Sequence, residues 1–325
     1  MFSTNGAVFR ADISGVVVES GTWEENLIGT RVAPVVNVPT KDGQYPKFKL
    51  GTGNLLKREA NMRRAPGSHY ARGSLAYEQD TFATVEFGFE LPVDNVDRAD
   101  TARFFDAAVI TAQQAKRKIL LDHEIRAAAM TFSTANYGSA TNSGTAYTIA
   151  NIATFDAALD IDAAKGRLLG KGESDQALSV AMSHDVFIRL RASTKMQNRL
   201  RGIGVASDTI LGVDASAMAE ALGVKEVLVG KNYYDTAAEG LAFASGAIWN
   251  NTYLWVGRLG SAGTPASMLN GGAQYTLNWS AYGPVLSVFE YDEPQSNSTI
   301  IRASQHVVEK VVNPNAGTLI ATQYS

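Results

Sequence analysis

Three groups of residues have types and spacing that invite a chemical reading. Gly166 to Gly172 (Gly-Arg-Leu-Leu-Gly-Lys-Gly) has the glycine content of a phosphate-cradling loop. It is one residue short between its glycines, lacks Ser or Thr after Lys171 and follows a helical stretch where the phosphate motif needs a strand, so we read it as a turn. Asp122-His123-Glu124, and separately Asp292-Glu293, are residue types that serve as acid, base or metal ligand. Helix neighbours point apart, and the four histidines (His69, His123, His184, His306) show no His-x-x-x-His spacing, so both sets read as solvated charge. With no nucleophile–base pair either, no cofactor, metal or catalytic role is expected.

The third group is a run of cations. Between Lys41 and Gly73 stand eight Lys or Arg (Lys41, Lys47, Lys49, Lys57, Arg58, Arg63, Arg64, Arg72) against only Asp42 and Glu59, with five glycines interleaved. A stretch this long with little apolar content of its own takes its order from outside. Only Phe48, His69 and Tyr70 are available to stack on bases, and the rest of the chain offers no basic surface, so an acidic protein partner fits better than nucleic acid. The chain itself carries acidic stretches, at Glu90, Asp94, Asp97 and Asp100 and again at Glu290, Asp292 and Glu293. Self-association is the economical reading.

The elements that must position these charges centre on Asn95 to Asn136, which contains no Gly or Pro and reads as one long helix of roughly 60 Å. Asp94 caps it, and Phe105, Ala108, Val109, Ala112, Ala115, Ile119 and Ile125 form a narrow apolar stripe for a sheet on one side. Before it, Tyr77 to Leu91 reads as a strand and Trp23 to Ile28 as a short amphipathic helix. After a polar turn from Tyr137 to Tyr147, the pattern turns mixed α/β. A helix runs through Phe155, Ala158, Ile161 and Ala164; a buried strand, Ala177 to Met182, leads into a helix capped by Ser183; Ala215 to Leu222 is helical and Glu226 to Val229 a strand. Ala247 to Trp249 and Tyr253 to Val256 read as a strand pair, Tyr275 to Tyr291 as an antiparallel hairpin and Ile300 to Val312 as a last strand.

The composition sets bounds. At 325 residues and 45% hydrophobic, the chain can bury one large core or two modest ones. Its net charge of -3 and pI near 5.9 argue against general polyanion binding, so DNA contact should be local and weak. Zero Cys excludes disulfides and thiol chemistry. No apolar run is long enough to span a membrane, and no secretion signal is visible.

In order and spacing, Leu27-Ile28-Gly29-Thr30-Arg31-Val32-Ala33-Pro34-Val35-Val36-Asn37-Val38-Pro39, Tyr45-Pro46-Lys47-Phe48, Ala65-Pro66-Gly67-Ser68, Leu222 to Gly230 with Tyr233, and Ala247-Ile248-Trp249 resemble the major capsid proteins of tailed bacteriophages with the Hong Kong 97-type fold. The resemblance implies an α+β fold: an N-terminal arm (1–40), an extended β-hairpin loop (41–91), a peripheral β-sheet domain with the spine helix (92–150 and 273–325) and an α/β axial domain (151–272). It implies a structural subunit of an icosahedral capsid, self-assembling into hexamers and pentamers around a double-stranded DNA genome, made in the cytoplasm of a bacterial host. The loop is then expected to lie over a neighbour, with Lys47, Lys49, Lys57, Arg58, Arg63, Arg64 and Arg72 as contact residues and Glu90, Asp94, Asp97, Asp100, Asp292 and Glu293 as the partner surface. Some members cross-link a loop lysine to an asparagine, for which Lys47, Lys49 and Lys57 are the candidates. With Met1 close ahead of the loop, the helical assembly domain of some members is expected to be absent and a separate scaffolding protein to replace it. A portal protein, a decoration protein and packaged DNA are the other expected partners, and an encapsulin-like nanocompartment shell is the alternative.

Overall fold

The computed structural model describes residues 8–9, 24–47, 63–64, 66–67, 69–70, 78–101, 106–138, 140–204 and 212–324. Along the chain come β1 (Val8–Phe9), α1 (Gly29–Val32), β2 (Val35–Val38), β3 (Asp42–Lys47), β4 (Glu78–Ala83), β5 (Val85–Asp94), α2 (Asn95–Thr101), α3 (Ala107–Thr131), α4 (Thr134–Tyr137) and β6 (Thr141–Asn142). Then follow α5 (Ala157–Leu169), β7 (Leu178–Ser183), α6 (His184–Ala192), α7 (Thr194–Gly202), α8 (Ala215–Leu222), β8 (Val227–Gly230), β9 (Tyr233–Asp235), β10 (Ser245–Ala247), β11 (Tyr253–Arg258), β12 (Gln274–Trp279), β13 (Ser287–Glu293), β14 (Ser298–Val311) and β15 (Gly317–Ala321).

The first sheet is built around β14. Its length lets β5 run along one edge while β13 and then β12 share the other, with β1 outside β13 and β2 outside β12. The expected hairpin of Tyr275 to Tyr291 is therefore corrected: its two strands lie end to end on β14 and do not pair with each other. The second sheet runs β6-β15-β11-β7-β8, and β3 pairs with β4 as a separate ribbon at the base of the basic stretch. Residues 253–256 lie between β7 and β15, while residues 245–247 pair with β9, so the expected partnership of these two strands is also corrected. β15, unread in the sequence, carries the chain back into the second sheet.

Local chemistry explains the elements. Ser183 accepts a hydrogen bond from the Val186 N–H at 3.3 Å and starts α6; Asp214 starts α8, and Gly223 ends it with φ +58°. Leu178, Val180, Met182, Leu254 and Val256 meet Ala158, Ile161, Ala164 and Leu168 of α5 in the larger core. Tyr147, expected in a surface turn, is fully buried and stacks on Phe155 at 4.8 Å.

The expected single spine helix is broken. Asp106 is extended (φ -84°, ψ 104°), and its carboxylate accepts from the Ala108 N–H at 2.9 Å, so a new helix begins there. The 25-residue α3 is about 37 Å long. Ala108, Ala112, Ala115 and Ile119 bring it close to β5 and β14, against Val93, Ile301 and Ala303. Its other flank is not bare, because α1 and Trp249 pack there.

Candidate inter-subunit surfaces

The start of β14 gathers the acidic residues. Ser298 pairs with Glu293 on one side and Asp94 on the other, and Thr299 with Asp292 and Val93, so two acidic stretches almost 200 residues apart in sequence meet at one corner of the sheet. The corner is braced by short bonds. Asp94 accepts from the Val96 N–H at 2.7 Å, Glu293 from the Ser296 hydroxyl at 2.6 Å, and the Thr299 hydroxyl lies 2.9 Å from both Asp292 and Asn95. Asn297, with φ 46°, supplies the left-handed turn between the strands. Asp94, Asp100 and Asp292 are exposed and Glu293 is half-buried; among the described residues none of the four forms an ion pair. Glu90 is different, because Arg302 pairs with it within the chain, as Arg98 does with Glu290 at 3.4 Å. The side chain of Asp97 lies outside the described residues.

On the basic side, Lys47 ends β3 opposite Glu78. Arg63 and Arg64 are exposed, with the Arg64 guanidinium 4.7 Å over the Tyr70 ring. Lys49, Lys57, Arg58 and Arg72 lie outside the described residues. Gly166 to Gly172 spans the C-terminal end of α5 and the turn after it, where carbonyls rather than N–H groups project, so the turn reading stands. Among the described residues no group of three His, Asp or Glu side chains is arranged to hold a metal, and no helix is long and apolar enough to cross a membrane.

No protein-family model and no curated protein matches the sequence. Solved structures do. A phage-related protein from Bordetella bronchiseptica is 20% identical, with a TM-score of 0.71 over 97% of both chains. The capsid structure of cyanophage P-SCSP1u is 14% identical, with a TM-score of 0.57 over 98% of this chain and 99% of that one. This chain has a phage capsid fold. A virus-like particle from Pyrococcus furiosus shares it, at 12% identity and a TM-score of 0.52 over 95% of each chain.

Within the capsid fold lies a buried junction that sequence reasoning missed. Glu124, assigned to solvent, is buried in α3 and accepts hydrogen bonds from the Ile28 N–H (3.0 Å), the Gly29 N–H (2.7 Å) and Trp249 Nε1 (2.6 Å). It joins the segment entering α1, the spine and the loop between β10 and β11. Burial pushes its pKa up, against the three donors, which favour the carboxylate. At Gly29 a Cβ would stand 2.5 Å from the Glu124 carboxylate, so this approach requires glycine. His123 beside it is buried with Nε2 3.2 Å from the Thr276 hydroxyl, which itself donates to the Ala33 carbonyl at 3.0 Å, leaving Nε2 as the donor. Burial lowers the His123 pKa, opposed by Glu309 and Glu124. Glu309 is held by Arg126 at 3.1 Å, and Lys116 pairs with Glu24. A signal was present: Lys116 and His123 recur at three- and four-residue steps with Ala112, Ile119 and Ala127, inside the apolar stripe.

Proposed function

We infer that this chain is the structural subunit of an icosahedral phage capsid, associating with its own copies as hexamers and pentamers around double-stranded DNA. The agreement of the fold with capsid structures over nearly the whole chain carries this reading. Two features of the chain support it. Among the described residues, four carboxylates at and near the β14 corner form no ion pair, while an excess of cations sits between Lys41 and Gly73. A near-neutral net charge suits a shell that holds DNA without gripping it. Exposed ion pairs are worth about 0–1 kcal/mol each, and many such contacts multiplied by closure let a growing shell correct its errors. In this reading the chain performs no catalytic step, resides in the virion, and works with a scaffolding protein, a portal protein and a decoration protein supplied separately.

The test is assembly. Electron microscopy and sedimentation of the purified chain, alone and co-expressed with a scaffolding protein, are expected to give rings, tubes or shells; a compact monomer under every condition would overturn the reading. Arg63→Glu with Arg64→Glu is expected to leave the monomer folded by circular dichroism and abolish shells, since like charges would then meet. Well-formed empty shells that fail only in DNA packaging would move the loop's role from subunits to DNA.

A further inference from the structure

The stretch Gly166 to Gly172 offers no backbone cradle, but it sets two cations side by side. Arg167 lies in the last turn of α5, and the chain keeps a helical course beyond it: the Gly170 N–H donates to the Gly166 carbonyl at 3.1 Å and the Lys171 N–H to the Leu168 carbonyl at 2.9 Å. Lys171 therefore stands one turn on from Arg167, at the i, i+4 spacing that makes side chains neighbours. Both residues are half-buried. Burial first, and then the charge of Arg167, push the Lys171 pKa below its ordinary value. Like charges at this spacing oppose each other, so the pair works against the fold unless an anion answers it.

Among the described residues neither cation forms an ion pair, and the carboxylates nearby in the chain are committed elsewhere. Asp160 accepts from the Gly144 N–H and the Tyr147 hydroxyl, each at 2.9 Å, and reaches Arg167 only through its field. Asp162 and Asp175 lie 3.4 and 3.9 Å from Lys165, and Glu173 lies 3.5 Å from Arg258. Within Arg167, Nε and Nη2 are enclosed and have no acceptor among the described residues. These two nitrogens share one edge of the planar guanidinium, the fork that meets two oxygens of a single oxyanion. The dipole at a helix C-terminus accounts for a nearby cation, but not for a buried fork without an acceptor. Charge and shape then select the ligand. A carboxylate would answer one cation and leave the other, whereas a phosphate dianion offers two oxygens to the fork and a third to the ammonium group. We propose that Arg167 and Lys171 form a binding site for a phosphate dianion, free or carried as a monoester, with the Arg167 fork on two oxygens and Lys171 Nζ on the third. The half-buried Arg167 side chain turns its fork outward to meet it. The site belongs to the single subunit and is independent of assembly.

Calorimetric titration of the whole chain at fixed ionic strength tests it, with inorganic phosphate and a nucleoside monophosphate as the probes. One saturable site is expected. Arg167→Lys, which keeps the charge and removes the fork, and Lys171→Gln are each expected to weaken it by about tenfold or more with the circular dichroism unchanged. Affinity for the monoester is expected to fall below about pH 6, where its phosphate takes up a proton. Binding of inorganic phosphate alone supports a site for the free ion, and binding of both probes supports one that accepts the ester. No saturable binding of either probe overturns the proposal. So does binding that both variants retain in full, because it then belongs to other cations of the chain. Tighter binding of an oligoglutamate peptide or a short DNA duplex, lost in the same variants, overturns the assignment to a phosphate dianion. If Arg167→Lys fails to fold, Lys171→Gln, in the turn beyond α5, decides.

Discussion

The junction at Glu124 and the corner at the start of β14 are both rich in carboxylates, yet they are built on opposite terms. At the junction Glu124 has three donors within 3.0 Å, Glu309 has Arg126 and Glu24 has Lys116, all from within one chain. At the corner Asp94, Asp292 and Glu293 take turn and hydroxyl hydrogen bonds and, among the described residues, no cation. Buried charge must be satisfied where it stands, because desolvation leaves no alternative, whereas exposed charge can wait for a partner. The first region ties elements of the chain to one another; the second holds its carboxylates at the surface.

The comparison is broken most severely at Glu124. Glu124→Ala leaves three buried donors without an acceptor, at about 1–3 kcal/mol for each that water does not reach, and is expected to lower the thermal midpoint of the monomer by several degrees or prevent folding. Thermal unfolding followed by circular dichroism checks this, and an unchanged midpoint would show that the junction carries no stability. A smaller effect is expected from pH. The His123 pKa in the folded chain lies below its ordinary 6.5, so the unfolded chain binds more protons as pH falls through and below that value, and stability drops toward acid. Glu124, raised above its ordinary 4.5, has the opposite slope, gaining stability as pH falls through its folded pKa. Measured against His123→Gln, which lacks the imidazole, the wild-type denaturant midpoint should therefore decline between pH 7.5 and 5.5. The smallest effect on the monomer comes from the corner: Asp292→Asn with Glu293→Gln should move its stability by no more than about 0.5 kcal/mol. The same pair should weaken assembly and its dependence on salt, read by sedimentation at two ionic strengths. A monomer destabilised as much as by Glu124→Ala would erase the contrast.

How much of this was legible depended on the range of the interactions. Local rules worked: Ser183 as a cap, residues 215–222 as a helix and the alanine stripe of α3 all follow from neighbours a few residues away. The α+β class and the capsid fold came from the resemblance of motifs such as residues 27–39 and 222–230 to a known family, in their order and spacing. Asp106 misled because Asp is tolerated inside a helix, and only its bond to Ala108 shows that it begins one. The pairing of β12 and β13 failed because β14 is long enough to take both, a fact about a strand further along the chain. Glu124 was unreadable for the same reason: its partners lie 95 to 125 residues away. For the acidic set the sequence supplied the residues, but their convergence exists only once β14 has brought Asp94 beside Glu293.

The join between β5 and β14 has a mechanical side. Ten residue pairs in unbroken register connect the two strands, with hydrogen bonds lying across the strand direction. A pull along the strands loads those bonds together, as a lap joint shares shear along its whole overlap, whereas a pull that lifts one end opens them one at a time. In a shell of the proposed kind, tension that runs along β14 is therefore the load this joint resists best, and tension that peels the strand ends is the load it resists least.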